Sequence, residues 1–193
     1  GGGGARGGGR VARAWGEAEA AWAGVLRGRQ ERELARAAGT ADPAEMSERA
    51  RGLVPRANAV SETSLVLAIA CGPRQPVLRP AQLDDPQLAR DLMQAALFGD
   101  AALLDAAEGT SPKVRDGALF IEQSRARIGI DQEGSILVVR PTHRDRGCDG
   151  GMTAVIEEDV AHDLLVALRF ADEVLARIDS TSRLTHVAPV AAL

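Results

Sequence analysis

The segment from Gly117 to Pro141 constrains this chain more than any other. Ala118-Leu119-Phe120-Ile121-Glu122 reads as one strand, and Arg127-Ile128-Gly129-Ile130-Asp131 as a second whose residues alternate between two faces. Gln132-Glu133-Gly134 makes a tight turn into a third, Ser135-Ile136-Leu137-Val138-Val139-Arg140. Period-two patterning joined by short glycine-bearing turns predicts an antiparallel meander.

The other elements follow from the same kind of reading. Val155 to Ile178 predicts the best helix: Ile156, Val160, Leu164, Leu168, Ala171, Leu175 and Ile178 recur at three- and four-residue steps. Glu157, Glu158 and Asp159 lie at its positive end and Arg177 near its negative end. Leu65 to Ala70 is a short continuous apolar run between Ser61-Glu62-Thr63-Ser64 and Gly72-Pro73, which fits a buried strand. Pro73, Pro76 and Pro80 keep the next segment out of a sheet interior. Asp85-Pro86 opens a short helix carrying Leu88, Leu92, Met93, Ala96 and Leu97; Gly99 closes it, and Leu103 and Leu104 are expected to add a turn. Leu184 to Val190 reads as a last strand, interrupted by Pro189.

Towards the amino terminus, Gly1 to Arg10 is a flexible glycine-arginine linker, and Val11 to Ala38 predicts a long helix weakened at Gly24 and Gly28. Asp42-Pro43 supplies an N-cap and a first-turn proline for a helix through Leu53, ended by Pro55. The expected class is α+β: an N-terminal helical arm, then a mostly antiparallel sheet packed by one long and one short helix. The expected division is a linker at 1–10, a helical arm at 11–60 and a core domain at 61–193.

Composition bounds the function. With 193 residues, 45% of them hydrophobic, the chain can bury a real core. No run approaches the ~20 apolar residues of a membrane span, and no secretory signal opens the chain, so a cytoplasmic protein without membrane attachment is expected. Cys71 and Cys148 lie far apart, which excludes a disulfide scaffold and a cysteine-based zinc knuckle. Lys113 is the only lysine and tyrosine is absent, as in proteins of high-GC bacteria. The opening Gly1-Gly2-Gly3-Gly4 and the apolar close from Val187 to Leu193 suggest a piece of a longer protein.

Several chemistries lack their residues. A phosphate-binding loop of the Walker type needs a lysine just after its second glycine, whereas Lys113 follows Ser111-Pro112. No Gly-x-Ser-x-Gly elbow, His-Glu-x-x-His helix or calcium loop occurs. His143-Arg144-Asp145 copies three letters of a kinase catalytic loop, but Gly150 stands where its asparagine is required.

What remains is a loop with His143, Asp145 and Cys148, in which Arg144, Arg146 and His143 could favour a thiolate and Asp145 could orient the imidazole. The alternative is a solvated connection whose polar groups satisfy its own backbone. Arg27, Arg29, Arg32 and Arg36 offer a nucleic-acid-binding helix face, yet Glu31 and Glu33 interleave with them as on an ordinary solvated surface. Glu158 and His162, flanked by Asp159 and Asp163, could share a metal, but helix-dipole complementarity already explains these acids, so no metal and no cofactor is expected. His186, in an apolar strand, reads as a partly buried histidine with one satisfied hydrogen bond.

Leu65 to Pro80 with its Gly72-Pro73-Arg74-Gln75, the meander around Gly134-Ser135, and Arg183-Leu184-Thr185-His186-Val187-Ala188-Pro189-Val190 together resemble the carboxy-terminal portion of large actinobacterial proteins of the Schlafen/AlbA-like kind, described as ATP-binding or DNA-binding. The resemblance spans about the last two-thirds of the chain. The Phe-Ala-Asn-Thr-x-Gly-Gly type motif that defines the AlbA-like segment is absent, so no functional residue carries over. It implies an accessory domain downstream of another module.

The expected function is a non-enzymatic binding or regulatory module, whose amphipathic helices and strand edges contact another domain, a second copy or a protein partner. Two alternatives stand beside it: a nucleic-acid-associated domain using the N-terminal arginines, and a small hydrolase or thiol enzyme centred on His143, Asp145 and Cys148.

Overall fold

The computed structural model describes residues 41–57, 64–99, 101–142 and 157–193. Helix α1 (Pro43–Leu53) starts where the sequence predicts: Asp42 is extended, its carboxylate accepts from the Ala44 N–H at 2.9 Å, and Pro43 fills the first turn. Pro55 does not end the helical path outright; a 3-10 turn continues over Val54–Ala57.

Six strands follow in the order β1 (Ser64–Gly72), β2 (Ser111–Arg115), β3 (Ala118–Glu122), β4 (Arg127–Asp131), β5 (Ile136–Pro141) and β6 (His186–Ala192). They form one antiparallel sheet with the spatial order β2-β3-β4-β5-β1-β6. Between β1 and β2 lie a single turn α2 (Pro80–Leu83) and helix α3 (Pro86–Phe98), and between β5 and β6 lies α4 (Glu157–Ile178). The fold is α+β.

β1 is buried along its whole length, between β5 and β6 edgewise and with side chains packed on both faces. That is why its sequence is a continuous apolar run and does not alternate. Two edges close the sheet, and each carries a proline, Pro112 in β2 and Pro189 in β6. Pro189 therefore does not interrupt the last strand: it pairs with Ile69, and on an edge strand the missing N–H is one the sheet does not need.

Alternation sorts the strand residues onto two unlike faces. The first face presents Leu67, Ile69, Leu119, Ile121, Ile130, Ile136 and Val138 to α3 and α4, which return Leu92, Ala96, Leu168, Phe170 and Val174. This is the main core. The second face carries Val66, Ala68, Phe120, Leu137 and Val139 and packs on Ala57, Leu53 and Val54. α1 lies against β1 and β6 with Met46 and Ala50 buried.

Two local expectations are corrected. Leu103 and Leu104 add no helical turn; both N–H groups donate to the Ala96 carbonyl, and both side chains are buried in the core. β2, unmarked in sequence because its residues are nearly all exposed, is an additional edge strand.

Candidate functional site

β2, β3 and β4 extend beyond α1 and the 3-10 turn, and the second face there, which no other element among the described residues covers, forms a groove of about 920 Å³. Leu53 and Arg56 border it on one side, Arg74 and Pro76 on another, and Ala118, Phe120, Gly129 and Leu137 line it from the sheet. The volume is within the range of small-molecule sites, roughly 300–1,000 Å³.

The floor depends on one glycine. Phe120 pairs with Gly129 across β3 and β4, and a Cβ at Gly129 would stand 2.6 Å from the Phe120 Cε1. The ring therefore lies directly against a backbone that has no side chain to lift it. On the ring sits the Arg115 guanidinium, its carbon 4.5 Å from the ring centroid, a cation–π contact. Arg115 is also held by Glu122, to which it donates at 2.8 Å.

Glu122 is shared by three cations of the second face. Lys113 donates to it at 2.8 Å, and Arg127 Nε lies 2.9 Å from its Oε1 without hydrogen-bond geometry. Arg127 also donates to the Ala57 carbonyl at 2.8 Å, which ties β4 to the 3-10 turn. The Lys113 hydrogen bond, followed by the charges of Arg127 and Arg115, holds the Glu122 carboxyl below its ordinary value despite burial.

The far end of the groove is the turn between β4 and β5. Asp131 Oδ1 accepts from the N–H groups of Glu133 at 2.9 Å and Ser135 at 2.8 Å, which folds the turn around it. Burial raises the Asp131 carboxyl above its ordinary range, against those hydrogen bonds. Gly134 has φ of 76°, and a Cβ there would meet Leu184 Cδ1 at 2.9 Å, so this turn requires glycine. Glu133 accepts from Arg49 of α1 and, at 2.8 Å, from Arg74. Arg49 also donates to the Cys71 carbonyl at 3.1 Å, so one side chain fastens α1 to both β1 and the turn.

Cys71 offers no nucleophile. Its side chain is fully buried, Sγ donates to the Gly134 carbonyl at 3.2 Å, and burial pushes the thiol up to about 12.

The groove is lined by three cations (Arg56, Arg74 and Arg115) and three carboxylates (Asp116, Asp131 and Glu133); on the strands beside it Lys113 and Arg127 join Arg115 around Glu122, and Arg49 holds Glu133 from α1. Arg56 has no hydrogen-bond or ion-pair partner among the described residues. Chemically, the arrangement suits binding: the margins of Phe120 and Leu137 at the floor, apolar Leu53 and Pro76 on the walls, and charges of both signs around them.

The sequence candidates fall elsewhere. His143, Asp145 and Cys148, and likewise Arg27, Arg29, Arg32 and Arg36, lie outside the described residues. Glu158 and His162 are exposed on α4, and Asp163 is paired with Arg140 at 2.9 Å. Among the described residues no group of three or more His, Cys, Asp or Glu side chains is arranged to hold a metal. His186 is half-buried on the β6 edge with Nδ1 2.8 Å from Thr185 Oγ1. No helix among the described residues is long and apolar enough to cross a membrane.

Sequence reasoning missed Arg56, Arg74, Arg115 and Phe120. One available signal was Gly129 inside a strand pattern, which marks close approach of another group. A second was Lys113 and Arg115 two residues apart, hence on one face once β2 is recognised as a strand. No known protein family matches the chain, and neither a curated protein nor a solved structure matches it.

Proposed function

We propose that the chain is a non-enzymatic binding module, an accessory domain that contacts an acidic partner through the second face of its sheet. The observation that carries this reading is the crowding of three cations, Lys113, Arg115 and Arg127, on the single carboxylate of Glu122. The groove lining beside them is balanced, Arg56, Arg74 and Arg115 against Asp116, Asp131 and Glu133, so the local surplus lies on β2, β3 and β4. A locally cationic surface on a chain of formal net charge -4 steers anionic groups toward it and orients them.

The face suits this role better than the edges do. Pro112 and Pro189 each remove a donor from an edge strand, which weakens addition of a partner strand.

The test is amide hydrogen exchange of the whole chain titrated with poly-L-glutamate and, in a separate arm, with a single-stranded oligonucleotide. The reading expects salt-sensitive protection in β2, β3 and the 3-10 turn, lost in Arg56→Glu/Lys113→Glu. Protection confined to the outer surfaces of α3 and α4, or unchanged by the charge reversal, overturns it. An oligonucleotide response stronger than the poly-glutamate response moves the assignment to a nucleic-acid-associated domain.

A further inference from the structure

We infer that the groove is the site of a small amphipathic anion: a flat apolar body seated against Phe120 and Arg115, with a carboxylate, sulfonate or phosphate turned toward Arg56 and Arg74. The inference rests on the reading above and narrows it from an acidic partner of any size to a ligand that fits about 920 Å³.

Three observations carry it. Arg115 is fixed twice, by the Phe120 ring beneath it and by Glu122 beside it, yet its side chain remains 38% exposed. An arginine on a solvated surface ordinarily samples many rotamers; one already immobilised offers its outer plane for stacking at little further entropic cost. Second, apolar side chains border the groove: Leu53 and Pro76 on its walls, with the margins of the largely buried Phe120 and Leu137 at its floor. A fully hydrated polyanion would gain little from that surface, whereas a flat apolar body covers the part that Leu53 and Pro76 still expose. Third, two of the three acids of the groove are already engaged, and the third, Asp116, is exposed on the turn between β2 and β3. Glu133 is held by Arg49 and Arg74, and Asp131 accepts from two backbone N–H groups. Arg56, by contrast, is uncommitted among the described residues and is free to meet an incoming anion.

The test uses a matched pair of fluorescent probes, 1-anilinonaphthalene-8-sulfonate and N-phenyl-1-naphthylamine, which share a ring system and differ in the sulfonate. The anion should saturate at one per chain and bind about ten-fold or more tighter than the neutral probe, the scale of one charge-assisted hydrogen bond. Arg56→Ala/Arg74→Ala should remove that preference while leaving the neutral probe within about two-fold. Both side chains are exposed, so the variant keeps its fold, and its thermal unfolding checks this. Ala118→Trp, which fills the groove from β3, should weaken both probes. Equal affinity for the two probes, or a preference that survives the double variant, overturns the inference. If poly-glutamate still protects the second face in that case, the inference alone has failed; if it does not, the broader reading has failed with it.

Discussion

Gly129→Ala is the most revealing single perturbation of this sheet. A Cβ at that position stands 2.6 Å and 2.8 Å from two carbons of the Phe120 ring, where carbon atoms pack best at about 3.5–4.0 Å. The ring must retreat by about 1 Å to restore ordinary contact. It cannot do so freely, because Phe120 is 8% exposed and Arg115 is stacked on it. Overpacking of this kind costs about 1–3 kcal/mol. In a Phe120→Leu background the ring edge is gone, and the same methyl group should cost less than about 0.5 kcal/mol, since alanine is no worse than glycine in a strand. The double-mutant cycle should therefore show a coupling of about 1–2 kcal/mol, above the roughly 0.5 kcal/mol scatter of independent sites. Urea unfolding of the four proteins measures it, with a common slope confirming that each unfolds from a comparably compact state. Additive effects would refute the claim that this glycine exists to seat the ring.

Three further outcomes follow from the charged and thiol groups. Because the Glu122 carboxyl is held below its ordinary value of 4.5, its stabilisation is complete above that pH and lost as pH falls through the lowered folded value. Glu122→Gln should lower stability at pH 7 and flatten the acid limb of denaturant midpoints between pH 7 and 3; a limb as steep as the parent's contradicts this. Asp131 has the opposite sign: its raised carboxyl costs stability as pH rises from 3.8 through the folded value. Asp131→Asn retains an oxygen for the Glu133 and Ser135 N–H groups, so its stability at pH 7 should equal or exceed the parent's, and a loss above about 1 kcal/mol would contradict the assignment. Cys71, its thiol at about 12, should resist iodoacetamide at pH 8 in the folded chain and react in urea; peptide mapping that finds it modified at equal rates refutes its burial.

Much of the fold was legible because local signals and tertiary demands agree. The meander, the cap at Asp42, the helix opened by Asp85-Pro86 and the long α4 all lie where periodicity and capping residues put them. β2 was illegible because Ser111-Pro112-Lys113-Val114-Arg115 is an edge strand whose members face solvent or the charged end of the groove, so no apolar alternation marks it. The site was less legible than the fold. Arg56, Arg74 and Arg115 come from a 3-10 turn, the segment after β1 and an edge strand, and only the sheet order β2-β3-β4-β5-β1-β6 brings these three elements around one groove. Linear spacing holds no record of that convergence. Sequence reasoning went instead to residues that were close in the chain and chemically reactive by type, such as His143, Asp145 and Cys148.

The division between the two faces explains how the sheet can carry so much charge. The large first-face cluster runs from β1 through β3, β4 and β5 into α3 and α4, with Phe170, Leu67, Ile69 and Val174 almost fully buried. The second-face cluster comprises six buried residues among those described, fixed at its margin by Arg49, Glu133 and Arg127. Apolar burial contributes about 25 cal/mol per Å², so among the described residues the first face supplies most of the apolar stabilisation. Charges on the second face then need only be locally satisfied, which Glu122 and Glu133 accomplish by each serving more than one cation. A sheet built in this way tolerates change at an exposed, unpaired position such as Arg56 more readily than at Lys113 or Arg74, whose ion pairs with Glu122 and Glu133 help to satisfy the second face.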